Sequence, residues 1–198
     1  MTAETVSIPR WRQALERSLR VSENIKEANY FQLATVSAIG LPQLRTVVFR
    51  GFEEHSNNLF VVTDLRSSKV SELTHSANAQ VAWYFTKTRE QFRISVSAEI
   101  LSVENLDQLD LVRQMWEKLS DTAKTPFYSH TPGIPFDDKA SNEKLTNPDV
   151  DYNVIPANFA VLRLCPVFVD YLDLKTQPHT RIFYRFDDAN WTSSRVIA

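Results

Sequence analysis

The chain has 198 residues, of which 43% are hydrophobic, so it is long and apolar enough to form one domain with a real core. Its formal net charge of −2 gives a nucleic-acid-binding role no global electrostatic support. The single cysteine, Cys165, excludes a disulfide framework and a cysteine-based zinc site within one chain. Only 3 glycines are present, and no GxGxxG or GxxxxGK[ST] string occurs, which argues against a glycine-rich phosphate loop.

No stretch of the sequence has the character of a membrane or secretory segment. The first twenty residues lack an apolar core segment, and no run reaches the roughly 18 apolar residues that a transmembrane helix needs. We therefore expect a cytoplasmic protein with no membrane or nucleic-acid partner. The 4 histidines show no HxH or HExxH spacing, so we expect no metal site.

The first predicted element is an amphipathic helix over residues 9–27. Pro9 would lie in the first turn, where its missing N–H costs little. Apolar side chains then recur at helical spacing, at Trp11, Leu15, Leu19 and Ile25.

Most of the remaining chain is predicted to form strands, because β-branched and aromatic residues alternate with turn-prone sequence. The nine predicted strands cover residues 31–38, 44–50, 58–63, 79–86, 91–103, 158–165, 167–174, 181–186 and 191–197. Consecutive strands with tight turns, such as 187–190, predict an antiparallel β-barrel rather than a βαβ sheet. Segments 47–49 and 60–62 are apolar on both faces, so we expect a helix or a partner to cover the outside of the barrel there.

Helical segments interrupt the strands twice. A short helix is predicted over 66–76, and a second over 105–119, whose apolar stripe should pack on the barrel. Residues 120–156 contain five of the 9 prolines and are predicted to form a long loop or lid. The sequence is thus interpreted as one domain over residues 1–198, with a helical and proline-rich insertion at about 105–156.

The stretch 45–69 has the chemistry of a phosphate site. Arg45 and Arg50 flank an apolar strand. The following strand ends at Thr63-Asp64, and Ser67, Ser68 and Lys69 then begin a helix. A helix N-terminus offers free amide donors and positive potential, to which hydroxyls, an ammonium and an arginine fork can add. The alternative is that Asp64 or Ser67 only caps the helix and Lys69 is solvated. The pattern does not say which phosphate compound would bind.

This stretch is similar to the flavin-binding core of the pyridoxamine 5′-phosphate oxidase family. The residues at the matching places are Arg45, Arg50, Val62, Thr63, Ser67 and Lys69. Ser68 stands where the family has a basic residue, which removes one charge from the phosphate grip, and Arg50 stands where the family has a substrate-side lysine.

The resemblance extends over about residues 10–198. Gln91 follows a hairpin turn where a family glutamine contacts FMN, and Arg181 falls near a family arginine that contacts the flavin. The resemblance implies an FMN-binding split β-barrel with flanking helices. It also implies a homodimer with FMN in clefts between the subunits, and hydride transfer from a small substrate to FMN.

The expected substrate site departs from the family. Leu172 stands about where the family has a tryptophan. The segment Gln177-Pro178-His179-Thr180-Arg181 follows, in which the family's substrate arginine is missing and His179 lacks the spacing of the Arg-x-His cluster that holds the vitamin B6 substrate. Replacement contacts are expected from Lys124, Tyr128, His130 and His179. No catalytic residue is assigned, and slow turnover of pyridoxamine 5′-phosphate is predicted. Three functions stay open: an oxidase of pyridoxamine or pyridoxine 5′-phosphate, an FMN-dependent oxidoreductase of another small substrate, and a non-catalytic FMN-binding or storage protein.

Overall fold

A computed structural model describes residues 8–135 and 150–198 of the chain. The strands are β1 (Tyr30–Val36), β2 (Pro42–Val48), β3 (Leu59–Asp64), β4 (Asn78–Phe85), β5 (Glu90–Ser102), β6 (Phe159–Asp173), β7 (Thr180–Asp187) and β8 (Asn190–Val196). The α-helices are α1 (Arg10–Val21), α2 (Ser68–His75), α3 (Leu109–Glu117) and α4 (Asp121–Lys124). Short 3₁₀ segments are Lys26–Asn29, Leu106–Gln108 and Thr125–Tyr128.

All strand pairs are antiparallel, in the order β2-β1-β4-β5-β6-β7-β8, and β3 also pairs with β6. The long strand β6 has β5 along one side, whereas its other side is divided between β3 and β7. β3 returns to the end of β2 through two backbone bonds, Arg50 N to Phe60 O (2.8 Å) and Phe60 N to Gly51 O (2.9 Å). These pairings close the barrel and split the sheet at β6, so the predicted antiparallel split β-barrel with flanking helices is confirmed.

Two apolar cores lie on opposite sides of the barrel wall. The first fills the barrel and includes Trp11 and Leu15 of α1, together with Val61 of β3. The second lies between the outside of the barrel and α3, and it includes Phe60 of β3 and Trp116 of α3. Neighbouring residues on β3 therefore belong to different cores, which explains why this segment is apolar on both faces.

The structure corrects the bounds of several predicted elements. The helix predicted over 9–27 ends at Val21, where the following sequence Ser22-Glu23-Asn24 favours caps and turns over helix. The strands predicted over 158–165 and 167–174 form the single strand β6, so eight strands replace the expected nine. Pro166 lies inside β6, at the register shift between Ser95 and Val96, and such a bulge tolerates a residue without an N–H.

The loop predicted over 120–156 is wrong for its first part. Residues 121–128 form α4 and a 3₁₀ turn, because Ser120 accepts a bond from Ala123 N as an N-cap and Pro126 lies in the first turn of the 3₁₀ segment. The helix predicted over 105–119 is also shorter, with α3 preceded by a 3₁₀ turn. Residues 136–149 of the predicted lid lie outside the described residues. None of the helices within 8–135 and 150–198 is long and apolar enough to cross a membrane.

Candidate functional site

The junction between β3 and α2 gathers a lysine and two hydroxyls at one point. Lys69 Nζ donates to Ser67 Oγ (2.9 Å) and to Thr63 Oγ1 (3.2 Å). Ser67 occupies the N-cap position of α2, yet its hydroxyl donates to Asp64 O (2.7 Å) and caps no amide. The first amides of α2 therefore keep donors for an anion beside a cation and two hydroxyls, and this donor set fits a phosphate group.

Electrostatics at this junction also favour an anion. Burial lowers the pKa of Lys69, and the positive charge of Arg45 lowers it further, while Asp64 and Glu72 act in the opposite direction. No carboxylate among the described residues forms an ion pair with Lys69. A bound dianion would supply the missing countercharge.

The charge of Arg45 lies close enough to lower the pKa of Lys69, but the Arg45 guanidinium already forms an ion pair with a carboxylate. Arg45 Nη2 lies 2.6 Å from Glu72 Oε2, and its other donors reach Leu33 O (3.3 Å) and the Thr35 hydroxyl. Glu72 is buried in α2, and sequence analysis did not include it among the candidate residues. Arg45 therefore joins β2 to α2 as an ion pair, and its direct contact with a phosphate stays a prediction.

The α4 region is fastened to the same junction. Arg66 forms several bonds of 2.6–3.2 Å with Asp64 and donates to Ser129 O (2.9 Å). Asn158 Nδ2 joins Asp64 Oδ2 (2.9 Å) to Phe127 O (3.0 Å). Although burial acts to raise it, the bonds from Arg66 and Asn158 hold the pKa of Asp64 below its usual value. The Asp64 carboxylate is thus ionised at neutral pH. Through Arg66 and Asn158 it connects the segment after α4 to the β3–α2 junction.

Strand register brings together two residues predicted to contact the flavin. Gln91 of β5 is paired with Leu172 of β6, and Leu172 is paired with Arg181 of β7. Residues paired across adjacent strands point to the same face, so all three form one row across the sheet. Arg181 is fixed there by Asp170, with Nε–Oδ1 and Nη2–Oδ2 distances of 2.9 and 2.8 Å.

The remaining residues predicted to bind the cofactor, Ser68 and Val62, lie near the β3–α2 junction. Ser68 is exposed as the first residue of α2, and Val62 is half-buried on β3. Their contacts with FMN, like those of Gln91 and Arg181, stay predictions.

Arg50 lies in a separate cavity of about 350 Å³ against α3. The lining residues are Asn29, Phe49, Arg50, Gly51, Met115, Lys118 and Leu119. Partial desolvation lowers the pKa of Arg50, and within the described residues neither Arg50 nor Lys118 has a carboxylate as an ion-pair partner. Lys118 is not among the residues predicted from the sequence, because a charged residue in a predicted amphipathic helix has the pattern of a solvated face.

The other predicted substrate residues do not line the Arg50 cavity. Lys124 lines a different cavity, and the Tyr128 hydroxyl donates to the carbonyls of Val154 and Asp151. His130 lies in a groove beside α4, and His179 Nδ1 lies 2.9 Å from Thr176 O near the C-terminal strand. Across 8–135 and 150–198, no group of three or more His, Cys, Asp or Glu side chains could hold a metal ion.

A split barrel with a candidate phosphate-binding site at a strand–helix junction is typical of one class of flavin-binding proteins. Comparisons with known proteins support the assignment of this chain to that class. Residues 8–102 match the sequence model of the pyridoxamine 5′-phosphate oxidase FMN-binding domain. The chain is 36% identical over 193 residues to pyridoxine/pyridoxamine 5′-phosphate oxidase 2 of Arabidopsis thaliana, covering 94% of this chain and 96% of that protein. It is 27% identical over 192 residues to the corresponding oxidase of Microcystis aeruginosa, covering 94% and 86%.

Solved structures agree. A pyridoxamine 5′-phosphate oxidase-related, FMN-binding protein from Nostoc punctiforme superposes with a TM-score of 0.89 at 35% identity, covering 96% of this chain and 98% of that one. PhzG from Burkholderia lata superposes with a TM-score of 0.80 at 21% identity, covering 100% and 98%, which supports the fold alone. The chain belongs to the pyridoxamine 5′-phosphate oxidase family, and the predicted family and FMN cofactor are confirmed.

Proposed function

We propose that this protein is an FMN-dependent oxidoreductase that takes a hydride from a small anionic substrate. The observation that carries the proposal is the Arg50 cavity, where two cations, Arg50 and Lys118, lack carboxylate partners among the described residues. When bound, FMN supplies the hydride acceptor. The protein contributes binding and orientation, with Lys69 at the phosphate and the row of Gln91 and Arg181 at the ring system.

The Arg50 cavity suits a planar molecule with an anionic group. Phe49, Met115 and Leu119 supply apolar surface, while Arg50 and Lys118 supply positive charge from opposite elements. Two cations can fix the orientation of a phosphate or carboxylate, which one cation cannot. Arg50 follows β2, which also carries Arg45, so one strand would link the phosphate seat to the substrate cavity.

Relatives suggest which substrate to test first. The Arabidopsis thaliana and Microcystis aeruginosa proteins are named as pyridoxine/pyridoxamine 5′-phosphate oxidases, and such substrates carry the required phosphate. The arginine of the family's substrate cluster is missing from Tyr171 to Arg181 at its usual spacing, so slow turnover stays the prediction. Lys118 offers a cation at a different place, and the assay decides whether it compensates.

The experiment is steady-state oxidation of pyridoxamine 5′-phosphate under air by FMN-saturated protein. A kcat/KM below about 10⁴ M⁻¹s⁻¹ agrees with the prediction of slow turnover, and a higher value contradicts it. Arg50→Met and Lys118→Met should each raise KM for the anionic substrate that is turned over, whereas Lys175→Met, at an exposed position, should not. Unchanged kinetics in both cavity variants would contradict the role of the Arg50 cavity.

A non-catalytic FMN-binding or storage protein is the second candidate. The absence of the family's substrate arginine at its usual spacing favours it. Anaerobic mixing of the FMN-loaded protein with pyridoxamine 5′-phosphate, pyridoxine 5′-phosphate or a reduced nicotinamide separates the candidates. Bleaching of the flavin band by one donor supports the oxidoreductase, and a flavin that no donor reduces supports storage.

We also propose a homodimer with FMN in clefts between the subunits. Along Pro42–Val48, before the bonds that close the barrel, β2 pairs only with β1 among the described strands, and the β1–β2 hairpin exposes apolar side chains, including Ile39 (81% exposed) and Leu44 (68%). Exposed apolar residues on a sheet edge favour association. Sedimentation of the FMN-loaded protein should show a dimer that Leu44→Glu weakens, whereas a flavin-loaded monomer of 22.8 kDa would contradict the proposal.

A further inference from the structure

A second cavity, of about 540 Å³, lies on the other side of α3. It is lined by residues of α3, α4 and the segment 152–155, and its volume falls in the usual range for small-molecule sites. The lining residues include Arg113, Trp116, Glu117, Lys124, Tyr152 and Ile155. None of them lines the Arg50 cavity.

Helix geometry keeps the two cavities separate. Residues three and four apart share a helix face, so Arg113, Trp116 and Glu117 face one side of α3. Met115 and Lys118, which line the Arg50 cavity, project from the opposite side. A ligand in the second cavity would therefore contact neither Arg50 nor Lys118.

Lys124 is the unusual residue of the second cavity. It is only 8% exposed, yet no carboxylate among the described residues forms an ion pair with it. Its ammonium donates one hydrogen bond, to Tyr152 O (3.3 Å), and lies 5.2 Å from the centre of the Trp116 ring. The Trp116 indole N–H donates to the same carbonyl at 2.9 Å. An ammonium group has three N–H donors. Lys124 shares the Tyr152 carbonyl with the Trp116 indole and lies over the Trp116 ring, so its buried charge is poorly compensated.

We propose that this cavity binds a small planar carboxylate whose anionic group meets Lys124. The ammonium supplies the charge and two free donors, and Tyr152 and Ile155 supply flat and apolar surface for the body of the ligand. Arg113 and Glu117 carry opposite charges at the exposed rim, where Arg113 also lies 3.8 Å from Asp110, so Lys124 is the buried charge among the lining residues and it is positive. The proposal does not rest on the oxidoreductase function, because it concerns the opposite side of α3.

Benzoate is a suitable probe, and the Trp116 indole N–H is a reporter in the cavity wall. Titration of the FMN-loaded, ¹⁵N-labelled protein with benzoate should shift the Trp116 indole signal saturably in the millimolar range. The signals of Trp11 and Trp83, which lie in the barrel core, serve as internal controls and should stay in place. Trp116→Phe assigns the signal.

Two comparisons test the charge requirement. Lys124→Met should weaken benzoate binding at least tenfold, while Lys124→Arg and Arg50→Met should leave it within about threefold. Benzamide, which has the same shape without the charge, should bind wild-type protein at least tenfold more weakly, and this comparison needs no variant to fold. Absence of a saturable Trp116 shift, equal binding of benzamide, or unchanged binding in Lys124→Met would overturn the proposal.

Discussion

Glu90 and Lys124 are both buried charged side chains, but their surroundings differ. Glu90, 2% exposed at the start of β5, accepts hydrogen bonds from Ser18 and Arg17 of α1 and from Tyr171 of β6. Lys124, 8% exposed in α4, donates one hydrogen bond to Tyr152 O and lies over the Trp116 ring. A buried charge with a full set of partners fastens elements of the fold together, whereas a buried charge without them is available to a ligand.

The largest expected effect comes from removing the well-partnered charge. Glu90→Ala leaves Arg17, Ser18 and Tyr171 without their common acceptor and should lower the free energy of unfolding by about 3 kcal/mol. Urea denaturation at pH 7 measures it, with Glu104→Ala, at an exposed turn position, as the control expected within about 0.5 kcal/mol. A loss below about 1 kcal/mol would show that the cluster does not anchor α1 to the barrel.

FMN affinity tests the role of Lys69, the half-buried lysine at the β3–α2 junction. Like Lys124, it has no carboxylate partner in the part of the chain that the structure describes. Lys69→Ala should weaken FMN binding about tenfold or more, since a charge-assisted hydrogen bond contributes roughly 1.5–3 kcal/mol. Flavin fluorescence titration measures the dissociation constant. Lys69→Arg should retain most of the affinity, and the exposed Lys87→Ala should retain all of it. An unchanged constant in Lys69→Ala would remove this residue from the phosphate site.

The pH dependence of stability sharpens the description of Glu90. Burial acts to raise its pKa, but bonds from Ser18, Tyr171 and Thr88 and the charge of Arg17 together lower it below the usual value. A group with a depressed folded pKa contributes stability that is complete above its unfolded pKa of about 4.3 and lost as the pH falls through the folded pKa. The stability difference between wild type and Glu90→Gln should therefore shrink between pH 6 and pH 3. A difference independent of pH would contradict the assigned cause.

The sequence predicted the elements of the barrel better than the contacts between them. Strand segments were recognisable because composition and period are local, and the doubly apolar segment around Val61 correctly indicated a covered barrel wall. Pro166 suggested a break between two strands, but the structure accommodates it in a bulge within one strand. The sequence could not show this, because the bulge is formed with a strand some 70 residues earlier.

The candidate site shows the same division between local and distant information. Thr63, Ser67 and Lys69 lie within seven residues, so their convergence at a helix start was predictable. By contrast, the row of Gln91 and Arg181 depends on strand register, which a single sequence does not specify. The ion pair of Arg45 with Glu72 could not be read from the sequence for the same reason, since it depends on how α2 packs against the sheet, where it contacts β1 and β5.

The smallest expected effect concerns the folding stability of Lys124→Met, and its sign is the informative part. Methionine keeps the length and apolar stem of lysine while removing a buried charge that has no ion-pair partner among the described residues. Tyr152 O keeps a donor after the change, because the Trp116 indole still bonds to it at 2.9 Å. We therefore expect the free energy of unfolding to stay the same or rise by up to about 1 kcal/mol, which corresponds to a Tm increase of about 2–4 °C for a chain of this size.

Differential scanning calorimetry of wild type, Lys124→Met and Lys124→Arg, each loaded with FMN, measures this shift with and without benzoate. Saturating benzoate should raise the Tm of the wild type and of Lys124→Arg but not that of Lys124→Met, because a ligand stabilises only the folded state that binds it. A loss of stability above about 1 kcal/mol in Lys124→Met would instead make Lys124 a structural partner of Trp116 and Tyr152. The contrast with Glu90 would then fail, since both buried charges would serve to hold the fold together.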